Sequence, residues 1–286
     1  MDALLLVDKP AGITSHDVVS VARRALGEKR IGHAGTLDPF ATGLLVLLTG
    51  RATRVLPYVE GEPKEYEATI RWGAETDTDD ATGSVTREAA GSIPARDALD
   101  AAMATLTGRI EQLPPDYSAK QVGGRRAHAA ARSGAPLVLA PVPVHVHSWA
   151  LRAHRESESE TDVTIVCGAG TYIRALARDL GRATGSAAHL SALRRTRSGP
   201  FDVANATSFA DLRAQRATVR SPREAIPSVA EQRVSTEDAA RLAHGMRVAA
   251  TIEGARAALL DGAGALLAIA ERSGDDWQPR VVLANE

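Results

Sequence analysis

One cysteine, Cys167, stands in 286 residues, so the chain has no means of forming an intrachain disulfide. No group of Cys and His has zinc-site spacing either. A disulfide-stapled secreted fold and a structural zinc module are both excluded, and a cytoplasmic, reducing setting is expected. Long apolar runs are missing too. The first, Ala3 to Val7, is interrupted by Asp8 and Lys9 before it reaches the length of a signal-peptide core, and no later stretch is long enough to span a bilayer, so no membrane partner is expected. Aromatic residues make up only 3 %. There is also little net charge: the formal value of -1 argues neither for nor against nucleic acid. What matters is where the charges lie. Between Gly170 and Pro200, Arg174, Arg178, Arg182, Arg194, Arg195 and Arg197 meet a single acid, Asp179, whereas Glu60 to Asp80 is dominated by acids.

What is present is an ordinary globular composition, 44 % hydrophobic and 24 % charged, in a chain long enough for one large domain and a smaller one. Residues 3 to 7 predict a strand. Thr14 or Ser15 then caps a helix whose apolar positions Val18, Val19, Ala22, Ala25 and Leu26 keep helical spacing up to Gly27. Leu44 to Leu48 is apolar throughout, as in a strand covered on both faces. Lys64 to Trp72 alternates, with Tyr66, Ala68, Ile70 and Trp72 on the inner face. The stretch 73–93 is acidic and turn-rich, and 97–107 predicts a helix ended by Gly108. Strands are expected over 142–151 and 162–167. A tight Gly168-Ala169-Gly170 turn leads into a helix capped by Thr171, with Ile173, Leu176, Ala177 and Leu180 inward and Arg174, Arg178 and Arg182 along an outer stripe. Composition around 216–232 predicts a linker. Beyond it, Ser235 with Asp238 caps a short helix stopping at Gly245, a hairpin turns at 261–264, and 281–283 forms a last strand. The expected domains are 1–222 and 223–286.

Asp38 sits in GHAGTLDPFATGLL, residues 32–45, between Gly35, Pro39 and Gly43. Taken alone, an Asp before a Pro in a Gly-rich loop is more often a turn residue or a helix cap than a catalyst. The longer stretch GHAGTLDPFATGLLVLLTGRATR, however, resembles the signature of the bacterial tRNA pseudouridine(55) synthase family, TruB. The resemblance extends through LLLVDKPAGITSHDVV (4–19), KEYEATIRWG (64–73), PPDYSAKQVGGRRAHAAAR (114–132), GTYIRALARDLG (170–181) and LRRTRSGPF (193–201). The C-terminal part is similar, by position and strand pattern, to the small PUA-like RNA-binding domain that ends these proteins.

The resemblance implies an α+β pseudouridine synthase fold: a mixed, largely antiparallel sheet with helices, followed by a small β-rich PUA-like domain. It implies an isomerase that converts uridine 55 in the T arm of tRNA to pseudouridine, without cofactor or metal and without an obligatory protein partner. Asp38 would be the nucleophile on a flipped-out uracil, attacking C6 of the base or C1′ of the sugar. Arg174 would pair with that carboxylate and keep it ionised. Tyr66 would stack on the uracil and assist catalysis, Tyr172 and Leu193 would line its pocket, His33 would enter the RNA where the base has left, and Lys9 would support the Asp38 loop. Lys120, Arg125, Arg126, Arg132, Arg194, Arg195 and Arg197 would contact phosphates. His128 departs from the tyrosine common in the family. His145 and His147 share a strand face but have no third ligand in the sequence pattern. Two other readings use the same residues: a tRNA-binding or tRNA-folding protein with secondary catalysis, and a nucleoside hydrolase that releases uracil.

Overall fold

A first helix forms because both its ends are specified. In the computed structural model, which describes residues 1–89, 93–118, 120–122, 124–133, 135 and 137–284, strand β1 (Ala3–Lys9) leads to helix α1 (Ser15–Leu26). The Thr14 hydroxyl accepts from the Asp17 N–H at 3.0 Å while the Asp17 carboxylate accepts from the Thr14 N–H at 2.8 Å, a reciprocal capping box. Gly27, at φ 62, closes the other end in a conformation that costs glycine little. Strands β2 (Ile31–His33) and β3 (Thr42–Thr49) follow.

The middle of the chain carries β4 (Lys64–Trp72), β5 (Ala74–Thr76), β6 (Val85–Glu88), α2 (Arg96–Thr105), β7 (Gly108–Gln112), β8 (Gln121–Val122), β9 (Arg125–Arg126) and α3 (Ala127–Arg132). Then come β10 (Val142–Arg155), β11 (Glu160–Cys167), α4 (Ile173–Ala183) and β12 (Ala188–Ser198). The rest comprises β13 (Phe201–Asp202), β14 (Thr207–Ser208), α5 (Phe209–Arg213), β15 (Val219–Arg220), β16 (Glu231–Arg233), α6 (Thr236–Ala243), β17 (Val248–Ala249), β18 (Arg256–Leu260), β19 (Leu266–Ser273) and β20 (Asp276–Val282). Among the described residues no helix is long and apolar enough to cross a membrane. The architecture is α+β with mixed pairing: β1 runs antiparallel to β3 and parallel to β14.

The chain divides into two compact units, 1–39 with 43–61 and 200–286, and 40–42 with 62–199. In the first, β1 and β3 pair from Ala3 opposite Thr49 to Lys9 opposite Gly43, and β3 is buried from Gly43 onward, as its unbroken apolar run predicts. The C-terminal strands form a five-stranded sheet in the order β16-β18-β19-β20-β17. One apolar cluster joins Leu4, Leu6, Leu44, Val46 and Leu48 to Ala225, Ile226, Ala258, Leu260, Ile269 and Val281. The compact units are therefore drawn differently from the expected 1–222 and 223–286. The stretch 216–232 is likewise no mere linker: Pro222–Ala225 is a 3-10 turn, and Ala225 and Ile226 are fully buried in that shared cluster.

In the second unit the strand order is β12-β4-β11-β10-β7, with antiparallel pairing from β12 to β4, β11, β10 and β7 in turn. Tyr66, Ala68, Ile70 and Trp72 are buried on β4 while Glu67 and Arg71 between them are not, so the alternation holds. Helix α4 returns onto β12 at Gly181, where a Cβ would lie 2.6 Å from the Ala188 nitrogen. The turn-rich acidic stretch contains a hairpin, β5 with β6. Thr171 does not cap α4; its hydroxyl donates to the Gly168 carbonyl at 2.9 Å, and Tyr172 holds the cap position.

Candidate active site

The loop that carries Asp38 is tied down on both sides within the first unit. Ser15 is buried at the start of α1, and its hydroxyl both accepts from the Leu37 N–H at 2.9 Å and donates to the Leu37 carbonyl at 3.0 Å. On the other side the Pro39 carbonyl accepts from the Gly12 N–H at 2.8 Å and from Lys9 Nζ at 3.3 Å. The Lys9 ammonium also donates to the Pro10 and Ile13 carbonyls at 2.9 and 2.8 Å, and Lys9 is fully buried. Its charge is thus spread over carbonyl dipoles of the very turn that faces Asp38's neighbours. Both residues flanking Asp38 are held by the 9–15 segment, and Asp38 itself is half-buried. His33 ends β2 opposite Leu47 of β3, and Ala34 N–H donates to the Val46 carbonyl at 2.9 Å, so the loop departs from an anchored edge.

The second unit holds Tyr66, Tyr172, Arg174 and Leu193. Tyr66 lies on the inner face of β4, directly across from Arg195 of β12, and Leu193 lies across from Ala68. Both are buried, Tyr66 at 8 % and Leu193 at 7 % exposure. Thr42 donates to the Leu193 carbonyl at 3.5 Å. Tyr172 is fixed through its backbone: its N–H donates to Gln112 Oε1 at 2.8 Å and its carbonyl accepts from Gln112 Nε2 at 3.0 Å. Gln112 is fully buried, and nothing in the sequence pattern marks it as the residue that sets the start of α4.

Arg174 is 5 % exposed, the second residue of helix α4. It donates to the Thr78 carbonyl at 2.6 Å and the Tyr117 carbonyl at 2.9 Å, and its guanidinium lies 3.6 Å from the Asp80 carboxylate. The Asp80 carboxylate in turn accepts from Thr78 and Thr82. The outer stripe expected for Arg174, Arg178 and Arg182 is in fact a ladder facing the acidic segment. Arg178 is buried and donates to Asp79 at 2.9 Å, and Arg182 grips Glu75 through two nitrogens at 2.9 and 2.8 Å. The spacing of four places the cations on one face; the residue that decides which way that face points is Glu75, buried and distant in sequence.

Burial pushes the Asp79 carboxyl up to about 6 against the pull of Arg178 and Arg174. Burial acts in the same sense on Glu75, but hydrogen bonds from Arg182 and Arg87 outweigh it and hold that group at about 2. Of the expected phosphate contacts, Arg197 is exposed and Arg194 and Lys120 are half-buried. Arg195 is only 1 % exposed, opposite Tyr66 in the sheet, so a phosphate contact is not open to it in this structure. The backbones of Arg125, Arg126 and Arg132 lie in β9 and α3; their side chains, and that of His128, fall outside the described residues. His145 and His147 stand on β10 with ring centroids 4.2 Å apart. Among the described residues no three His, Cys, Asp or Glu are grouped to hold a metal ion.

Residues 23–173 match the TruB family pseudouridylate synthase N-terminal domain, and residues 174–229 match the tRNA pseudouridylate synthase B C-terminal domain. The chain is 42 % identical over 289 residues to tRNA pseudouridine synthase B of Thermobifida fusca, covering 99 % of both chains. It is 43 % identical to the protein of that name in Mycobacterium bovis, covering 98 % of this chain and 95 % of the relative. Among solved structures, a chain of an H/ACA RNP bound to a substrate RNA containing 2'-deoxyuridine superposes with TM-score 0.73 at 23 % identity, covering 99 % of this chain and 85 % of that one. An archaeal box H/ACA sRNP Nop10-Cbf5 complex gives 0.71 at 24 % identity over 98 % and 85 %. These two speak to the fold alone, and the fold is that of the pseudouridine synthases. Matches over half the chain and relatives sharing two residues in five along its full length lead to one conclusion: the chain belongs to the TruB family of pseudouridylate synthases.

Proposed function

We propose that the protein isomerises a uridine of tRNA, the one at position 55 in the T arm, to pseudouridine, with Asp38 as the nucleophile. The observation that carries the assignment of Asp38 is the two-sided restraint of its loop by Ser15 at Leu37 and by Lys9 and Gly12 at Pro39. A carboxylate presented on so constrained a turn loses little further freedom on meeting its substrate. The reaction breaks the bond from N1 of uracil to C1′, turns the base and forms the bond from C5 to C1′; the proton lost from C5 is balanced by the one gained at N1. Asp38 adds to C6 or displaces at C1′, and either adduct collapses to return the free carboxylate. No redox partner enters this balance.

Arg174 is the cation proposed to keep the nucleophile ionised. Its own anchoring to Thr78, Tyr117 and Asp80 supports that role, since a guanidinium so held needs no reorganisation when charge develops. Tyr66, Tyr172 and Leu193 are proposed to enclose the uracil, His33 to fill the stack it leaves, and Lys120, Arg125, Arg126, Arg132, Arg194 and Arg197 to hold phosphates. The C-terminal sheet is proposed as a PUA-like grip on the RNA, and the enzyme is proposed to act without a protein partner.

The test uses a T-arm stem-loop and a pseudouridine-specific chemical label. Wild type is expected to convert the uridine with no change in mass, and Asp38→Asn to bind the RNA as tightly while forming no product. Product from Asp38→Asn would remove the nucleophile assignment, and release of free uracil by the wild type would make the enzyme a hydrolase.

A further inference from the structure

A second basic feature lies on the first unit, formed by residues to which no role is assigned above. Val18, Val19 and Ala22 of α1 are buried together with Leu212 of α5. This packing leaves an open groove of about 170 Å³, walled by Val21, Arg24 and Ala25 of α1 and by Arg213 and Gln215 at the end of α5. Arg24 and Arg213 are exposed, and among the described residues neither guanidinium has a hydrogen bond or ion pair. Arg23 and Lys29 add two more exposed cations at the same end of α1.

The acids nearest in sequence are already engaged. Glu28 accepts from the Met1 amino group at 2.7 Å and from the Arg30 N–H at 3.0 Å. Asp211 accepts from Arg216 at 2.7 Å and from the Ser208 hydroxyl at 2.6 Å. Cations are favoured at a helix C-terminus in any case, and that accounts for Arg23 and Arg24 singly. It applies singly to Arg213 as well, the last residue of α5, but it does not account for two unneutralised guanidinium groups facing each other across an apolar wall.

We propose that this groove binds the sugar–phosphate backbone of the substrate RNA, with Arg24 and Arg213 each neutralising a phosphate and Val21 and Ala25 facing ribose. The proposal rests on the reading of the substrate as tRNA. Two rigid, permanently charged forks suit phosphate oxygens. Arg24 lies nine residues beyond Ser15, about 14 Å along the helix axis from the residue that holds the Asp38 loop. A polynucleotide that reaches Asp38 spans that distance within a few nucleotides, so one RNA can occupy both. With a net charge of only -1, local patches of this kind must supply the attraction.

The double variant Arg24→Ala/Arg213→Ala and its lysine counterpart test this against full-length tRNA, by fluorescence anisotropy over a salt series and by multiple-turnover product formation. The alanine pair is expected to raise Kd and KM about tenfold, to leave kcat unchanged, and to make the slope of log affinity against log salt shallower by about 1 to 2, while the lysine pair restores most of the loss. Wild-type Kd and slope in the alanine pair would overturn the proposal. A fall in kcat with unchanged Kd, not rescued by lysine, would also overturn it, since that marks a structural role. Because binding is read apart from turnover, a wild type that binds tRNA but forms no pseudouridine sinks the proposed reaction and still leaves the groove decided.

Discussion

Lys9 shows how one residue can restrain a loop it does not belong to. Its ammonium is fully buried, and three carbonyls of the surrounding turns accept hydrogen bonds from it. Lys9→Met keeps the apolar stem and removes the donors, so those carbonyls lose their partner in a dry place. The expected cost is about 3 kcal/mol in stability, measured by urea unfolding, with a fall in kcat larger than the rise in KM because the Asp38 loop is less well held. The sequence pattern marked Lys9 and Asp38 through two separate motifs, 4–19 and the stretch that begins at Gly32. It did not mark Ser15, which reads there as a helix cap although its hydroxyl is spent on Leu37. Nor did it mark Gln112, because a buried glutamine bonding a backbone sixty positions away leaves no local pattern.

At the scale of elements, α4 and the β5–β6 hairpin are joined by three arginines. Arg178→Ala leaves the buried Asp79 without its main cation, and about 3 to 5 kcal/mol of stability is expected to be lost at neutral pH. The loss should shrink below pH 6, where Asp79 takes up a proton, and denaturant titrations at several pH values check this. The sign for the wild type follows from the same shift. The Asp79 carboxyl is raised from 3.8 to about 6 in the folded state, so the folded chain binds the extra proton between these values and loses stability as pH rises through them. Relative to Asp79→Asn, the wild type should therefore become less stable from pH 4 to pH 6. Glu75 acts oppositely: held at about 2, it contributes stability above pH 4.5 that is lost as pH falls toward 2.

Elements with their own periodicity or caps were legible. The alternation of β4 and the Ser235 cap of α6 stand as read, and of the two caps open for α1, Thr14 or Ser15, the structure takes Thr14; each is decided by residues within a few positions. The arginine ladder was legible as a stripe but not in its direction. Helical spacing says which residues share a face, whereas the packing of distant Glu75 and Asp79 decides what that face meets.

For the whole molecule, the reading of 223–286 as a separate domain misses that its strands share an apolar cluster with β1 and β3. Truncation after residue 222 would expose Leu4, Leu6, Leu44 and Val46 on one side of that cluster. The shortened chain is expected to be insoluble or to unfold at markedly lower temperature, with circular dichroism and sedimentation as the readout. Boundaries of this kind escape a sequence because composition reports where turns and prolines lie, not which distant strands cover one another.

The first unit is assembled from three pieces, the last beginning at Pro200, while the second runs almost unbroken from Glu62 to Gly199. During synthesis the order of completion must therefore differ from the order of the chain. The middle of the protein has all its parts once Gly199 has left the ribosome, but β1, made first, waits for β14, β15 and the C-terminal sheet before its surroundings are complete. The loop bearing Asp38 belongs to the piece that waits. Nascent chains can thus hold the arginine ladder in place well before the Asp38 loop has its final surroundings.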